Sequence, residues 1–156
     1  MRPMNVLVVE DSLADVRLIR EALKKGSVPV QITIAHDGIE AVDYLHRTEG
    51  TTNAPDLMLL DLNLPRKSGQ EVLAEVKSSP TLKRIPVLIM TSSRSDEDIE
   101  RAYALNANGY ITKPYDFNEY INVILAIEQF WFLTATLPDP FRHASTAPAA
   151  RAAMSS

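Results

Sequence analysis

The chain has 156 residues, 46% of them hydrophobic, with 16 basic and 20 acidic side chains and a formal charge of −4; this suits one domain with a proper core and gives no reason to expect nucleic-acid binding. Cysteine is absent, which excludes disulfides and thiol chemistry. No apolar stretch approaches the roughly 18 residues a membrane span needs, and the N-terminus has no signal-peptide anatomy, so the chain reads as soluble and cytoplasmic, with neither nucleic acid nor membrane as a partner.

A strand is predicted over 5–9, carrying Val6, Leu7, Val8 and Val9. A helix follows from residue 12 or 13 to 25, with Val16, Ile19 and Leu23 at helical spacing and Gly26 as its stop. Residues 30–35 are rich in β-branched side chains and read as the second strand. Asp37 starts a helix carrying Ile39, Val42 and Leu45 that ends near Arg47, and the polar stretch 49–55 is a surface loop. Strand three spans 57–60 and is followed by a helix over 69–78. Pro80 and Pro86 bracket a connector, and strand four spans 87–90. The helix predicted over 96–106 opens with Asp96, Glu97 and Asp98, which match the positive end of a helix dipole. Strand five is short, 109–112, and a last helix runs from about 116 to beyond Trp131.

Five β–α units in a row imply a parallel sheet with right-handed crossovers and helices on both faces. From Leu137 the text turns to Pro, Ala, Ser and Thr, too poor in large apolar groups to offset its ordering entropy. The expectation is therefore a domain of residues 1–138 and a disordered tail, 139–156, with no output domain after it.

Four of the five predicted strands end in a functional group. Glu10 and Asp11 close the first, Asp61 the third, Thr91 and Ser92 the fourth, and Thr112-Lys113-Pro114 the fifth. Taken singly, the acids and hydroxyls are explained as well by helix capping or turns, and the lysine as a solvated loop residue. Capping does not require all of them at successive strand ends. Strands so apolar belong in a sheet covered on both faces, and the C-terminal ends of parallel strands share the edge where open α/β sheets place ligands. Two unit charges about 4 Å apart repel by about 4 kcal/mol at an effective dielectric near 20, so a hard divalent cation is expected among these carboxylates.

Phosphoryl transfer suits this set, because its catalysis is mainly positioning and neutralisation of charge on three oxygens. Asp11 and Asp61 would ligate magnesium (or manganese), with Glu10 reaching it directly or through water. Lys113 would supply a point charge to a phosphoryl oxygen, and the Thr91 hydroxyl a hydrogen bond. Asp61 is the natural nucleophile, giving an aspartyl phosphate.

Glu10-Asp11-Ser12, the run Leu59-Leu60-Asp61-Leu62-Asn63-Leu64-Pro65 with Gly69, Met90-Thr91-Ser92, and Tyr110-Ile111-Thr112-Lys113-Pro114 together resemble the receiver domain of two-component response regulators, over roughly residues 4–125. The resemblance implies a flavodoxin-like, doubly wound five-stranded parallel sheet in the order 2-1-3-4-5. It implies Asp61 as phosphoacceptor, Glu10 and Asp11 as the metal pair, the Asn63 main-chain carbonyl as a further ligand, Lys113 on the phosphoryl group, and a cis peptide before Pro114. Thr91 and Tyr110 match the family's switch pair: Thr91 would bond the phosphoryl group as the loop after strand four moves inward, and Tyr110 would turn into the vacated space. The alternative for Tyr110 is a half-exposed aromatic on an edge strand. The donor of the phosphoryl group would be a histidine kinase.

The last helix offers two apolar stripes where a monomer needs one. Phe117, Ile121 and Ile124 are assigned to the sheet. Tyr120, Val123, Ile127 and Phe130 follow the spacing of a helix-on-helix seam, joined by Trp131. Their functional reading is a homodimer interface; the alternative is a wide buried face or an intramolecular fold-back. The segment Glu128-Gln129-Phe130-Trp131-Phe132-Leu133, with Leu73-Ala74-Glu75-Val76-Lys77 and Leu82-Lys83-Arg84-Ile85-Pro86, resembles single-domain receivers that serve phytochrome-type histidine kinases and dimerise through the last helix.

Three rival functions remain. An aspartate-nucleophile phosphohydrolase needs a second acid two residues after the nucleophile, where this chain has Asn63. A nucleotide or flavin module wants a Gly-rich loop after strand one, where Glu10 and Asp11 bring charge of the wrong sign. The third rival is a dimeric scaffold that works without phosphorylation.

Overall fold

The structure, a computed structural model, describes residues 2–138, and the expected tail lies outside them. Strands β1 (Met4–Val9), β2 (Val30–Ala35), β3 (Leu57–Leu60), β4 (Val87–Thr91) and β5 (Gly109–Thr112) alternate with helices α1 (Leu13–Lys25), α2 (Gly38–Thr48), α3 (Gly69–Ser78), α4 (Asp96–Ala104) and α5 (Phe117–Glu128). A 3-10 turn, Leu82–Arg84, occupies the proline-bracketed connector. All four strand pairings are parallel and the order is β2-β1-β3-β4-β5, the expected flavodoxin-like sheet.

Alternation along the strands builds two cores. Leu7, Val9, Met58, Leu60, Val87 and Ile89 face one way, onto Leu45 of α2 and Val72, Leu73 and Val76 of α3. Val6, Val8, Leu57, Leu59, Leu88 and Met90 face the other, onto Ile19 and Leu23 of α1 and Ile121 and Ile124 of α5. A sheet covered on both faces explains why β1, β3 and β4 read as unbroken apolar runs.

Each helix starts with the same device. Ser12, Asp37, Ser68, Ser95 and Asp116 accept a hydrogen bond from the backbone N–H three residues on, at 3.3, 2.8, 3.2, 3.2 and 2.9 Å. In all five cases the residue at that third position is Asp or Glu, a negative group beside the helix's positive end. Helix α4 stops two residues earlier than expected because Asn106 takes a left-handed conformation (φ 71°), a common helix terminator.

Register aims the strands at one edge. Val9 lies opposite Leu60, and Thr91 opposite Thr112, so Glu10 emerges beside Asp61, and Lys113 follows next to Thr91. Gly69 permits the loop after β3 to close: a Cβ there would overlap the Asp61 carbonyl oxygen, and its N–H instead donates to the Leu62 carbonyl at 3.0 Å.

The last helix departs from expectation in three ways. The α-helix ends at Glu128 and continues as a π-helical turn, Gln129–Thr134. Tyr120 and Ile127, assigned to a partner seam, are 3% and 6% exposed and pack within the protomer against the sheet and α1. Phe117, assigned to the sheet, is 54% exposed instead. The buried stripe is therefore Tyr120, Ile121, Ile124 and Ile127, widened because α5 lies between the sheet and α1 and touches both; Trp131 and Phe132 extend it by packing on the same core. The Glu128 carboxylate is buried at the end of this stripe, accepting from the Ser27 and Val28 N–H groups at 2.8 and 3.0 Å. Gly26, expected only as a helix stop, leaves the space that this carboxylate fills. The peptide before Pro114 is trans, since the described residues contain no cis bond.

Candidate functional site

The strand tips converge. One carboxylate oxygen from each of Glu10, Asp11 and Asp61 lies within 4.8 Å of the others, which fits three ligands of one hard cation. Glu10 and Asp61 are buried, whereas Asp11 is exposed at the mouth. Placement follows from the fold: Glu10 and Asp11 are the first residues past β1, Asp61 the first past β3.

Lys113 bridges the cluster. Its ammonium donates to Asp61 Oδ2 at 2.8 Å, to Asp15 Oδ2 at 3.0 Å and, in a short contact, to Glu10 Oε1. Its own backbone N–H is held by the Thr91 carbonyl at 2.8 Å, so pairing of β4 with β5 fixes where the side chain starts. Asp61 Oδ1 accepts from the Asn63 N–H at 3.1 Å.

These contacts divide the two buried acids. Burial pushes both carboxyls up. At Asp61 the hydrogen bond and charge of Lys113, the Asn63 N–H and the Thr91 hydroxyl outweigh it, so the group sits below the ordinary aspartate value and stays ionised. At Glu10 burial wins; with the Asp61 charge adding to it against Lys113, the carboxyl is pushed up to about 7. Lys113 itself is held protonated: burial lowers its pKa, but Asp61 and Glu10 raise it by more. An ionised carboxylate with a fixed cation on one oxygen can act as a nucleophile.

Thr91 is fully buried at the end of β4, beside Asp61. Tyr110, half-buried on β5, donates its hydroxyl hydrogen to the Ser93 carbonyl at 2.9 Å, tying β5 to the loop after β4. Ser93 is held from the other side, its hydroxyl donating to Asp98 Oδ2 at 2.6 Å.

Asp15 was not expected here. Three residues after the Ser12 cap, it passes for one more acid in a first helical turn; only its contact with Lys113 sets it apart from Glu40, Glu71, Asp98 and Glu119. Tyr120 was placed on the wrong surface. Its buried hydroxyl lies among these carboxylates, and burial, the charge of Asp15 and a side-chain hydrogen bond with it, and the charges of Glu10 and Asp61 raise its pKa.

A parallel sheet in this order with an acid-and-lysine edge is the architecture of a receiver domain. Residues 6–125 match the response regulator receiver domain family, and the chain belongs to that family. Among its relatives, response regulator Rcp1 of Synechocystis sp. is 44% identical over 138 residues, which are 87% of this chain and 94% of Rcp1. The phosphorylated cyanobacterial phytochrome response regulator RcpA superposes with a TM-score of 0.83 at 48% identity, covering 88% of this chain and all of RcpA. The Mn2+-bound form of Rcp1 superposes with a TM-score of 0.81 at 43% identity, over 88% of this chain and all of that structure.

Proposed function

We propose that this receiver accepts a phosphoryl group on Asp61 from a histidine kinase of the phytochrome type, with magnesium or manganese held by Glu10, Asp11, Asp61 and the Asn63 main-chain carbonyl. The observation that carries the reading is the pairing of Asp61 Oδ2 with Lys113 Nζ at 2.8 Å inside the acidic trio. The bound cation would neutralise charge on the phosphoryl oxygens and on the carboxylates around them.

Asp61 attacks phosphorus with one carboxylate oxygen. The P–N bond of the kinase's phosphohistidine breaks, its electron pair returning to the imidazole, which leaves with a proton, and an O–P bond forms. Lys113 and the Asn63 N–H hold the carboxylate in line. Hydrolysis reverses the modification: water attacks phosphorus, the O–P bond to Asp61 breaks, and the free carboxylate and inorganic phosphate result. Thr91 then senses the phosphoryl oxygens, and Tyr110, released from the Ser93 carbonyl, relays the movement of that loop to the surface formed by α4, β5 and α5. Asn63 offers no general acid for turnover of free phosphate esters, so the protein acts as a phosphoacceptor in signalling rather than as a phosphohydrolase.

The same reading includes a homodimer through the last helix, with a revised membership. Phe130 remains at the surface, while Val123, seven residues earlier, is half-buried against the protein's own core; Phe130 stands edge-on to Trp131 with ring centroids 5.2 Å apart. Phe130 and Leu133 are 52% and 50% exposed, large apolar groups that a second copy would cover.

The deciding experiment mixes the protein with Mg2+ and an autophosphorylated phytochrome-type kinase. The phosphoryl group should pass to the wild type and not to Asp61→Asn; label that survives in the variant removes Asp61 from the role. Light scattering after size exclusion should give twice the protomer mass at tens of micromolar, and a protomer mass there would end the dimer reading.

A further inference from the structure

The two outer strands of the sheet are not alike. β5 has four residues, whereas β2 has six, in unbroken register with β1 from Met4 opposite Val30 to Val9 opposite Ala35. The Pro29 and Ala35 carbonyls accept from the Met4 and Glu10 N–H groups at 2.9 and 3.0 Å. By alternation, the N–H and C=O groups of Val30, Ile32 and Ile34 face away from β1, along the open edge. None of the three makes a backbone hydrogen bond elsewhere among the described residues. Native edges are commonly blunted by a charge, a proline or a bulge, and β2 carries none of these within its span. Beside it, between β2 and α1, runs a groove of about 390 Å³. Leu23, Val28, Val30 and Ile32 make it apolar, and exposed Arg20 and Lys24 stand over it. Arg20 has no ion pair among the described residues; Lys24 has a loose one, 4.0 Å from Glu21, with both side chains more than half exposed.

We propose that the β2 edge and this groove form a docking surface for an extended acidic segment of a partner protein, which joins the sheet as a sixth strand. Its backbone pairs with the outward N–H and C=O groups of Val30, Ile32 and Ile34. Side chains two residues apart share the face toward α1, apolar ones entering the groove and carboxylates meeting Arg20 and Lys24. Two unpaired cations beside an apolar groove select that chemistry. A second copy of this chain does not complement it: joining two β2 edges about a two-fold axis perpendicular to the sheet brings both copies of Arg20 and Lys24 to one interface. Residues after 138 do not complement it either, since they carry Arg142 and Arg151 and an acid only at Asp139. Val28 also gives its N–H to the Glu128 carboxylate at 3.0 Å, so an occupant touches the loop that anchors the end of α5. The surface does not depend on Asp61 being the phosphoacceptor.

The test adds to the full chain a seven-residue peptide with glutamate at both ends and threonine and valine alternating between them, so that the glutamates and valines share one face. A control peptide has lysine at both ends. Amide hydrogen exchange, read by NMR, should slow at Val30, Ile32 and Ile34 when the first peptide binds, and stay unchanged at Gln31 and Thr33, which already pair with β1. Fluorescence anisotropy should show that the lysine peptide binds more weakly. Joint replacement Arg20→Glu and Lys24→Glu should weaken the glutamate peptide about tenfold, the range of two exposed ion pairs, and reverse the preference. Unchanged exchange at the three amides in millimolar peptide, equal slowing at all five, or equal affinity for both peptides overturns the proposal. Three amides that slow in the free protein as its concentration rises would give the edge to a second copy and overturn it too. Binding to vesicles of anionic lipid through Arg20 and Lys24, with the three amides unprotected, would do the same.

Discussion

At the C-terminal edge of the sheet three carboxylates share one ammonium group in a nearly closed space, whereas the end of α5 gathers aromatic carbon and leaves half of Phe130 and Leu133 in solvent. The first region is directional. Each of the three carboxylates takes a hydrogen bond from Lys113, so one substitution changes the charge state of its neighbours. The second is held by non-directional burial, in which area counts and the identity of the neighbour counts little. On the proposed reading, a site that distinguishes a free carboxylate from a phosphorylated one needs the first kind of construction. A surface that presents apolar groups to another protein can be built from the second.

Removing the cation should give the largest effect. Lys113→Met leaves Asp61 and Asp15 without their counter-charge, and breaking such a buried pair costs about 3–5 kcal/mol. Thermal melting in EDTA should show the loss, and added Mg2+ should recover part of it; a variant as stable as wild type in EDTA would mean that the cluster is not electrostatically closed. Between α5 and the π-helical turn after it the contrast should be nearly as large. Ile127→Ala should cost about 2–4 kcal/mol as a core truncation, while Phe130→Ala costs under about 1 kcal/mol, both read by urea denaturation at a concentration below dimerisation. Equal costs would put Ile127 back on the surface.

Protonation sharpens the comparison further. Without metal, Glu10 has its pKa raised from an ordinary 4.5 to about 7, so its contribution to the metal-free fold weakens as pH rises between those values, while Asp61, lowered, acts with the opposite sign. A cation needs Glu10 ionised, so binding of Mg2+ at pH 6 should release close to one proton and binding at pH 8 almost none. Calorimetry in buffers of different ionisation heat measures this; equal release at both values removes Glu10 from the ligand set. A small effect belongs to the scaffold: Ser68→Ala should cost about 1 kcal/mol through its lost cap and leave Mg2+ affinity unchanged.

Much of this was legible before the fold was known. Strand spans 30–35, 57–60 and 109–112 agree with β2, β3 and β5 to the residue, because apolar runs bounded by Gly, Pro and polar residues admit few other readings. Asp61, Glu10, Asp11, Thr91 and Lys113 were recognisable for the same reason: each directly ends or follows a strand, so parallel pairing alone brings them to one edge. Asp15 was not legible, because an acid three residues past a helix cap is the local signature of all five helices here.

The order of apolar and polar residues by itself determined the alternation, the sheet and the convergence of the strand-tip acids, since these follow from periodicity and from the handedness of parallel crossovers. Which stripe of α5 is buried was decided only by tertiary structure. A helix rich in apolar side chains on several sides carries no internal record of what it lies against, and here both the sheet and α1 claim it, drawing Tyr120 and Ile127 inward and leaving Phe117 out. The same packing set the Tyr120 hydroxyl near Asp15 and Asp15 against Lys113. These contacts span 98 residues or more of chain, a separation at which local pattern has no reach.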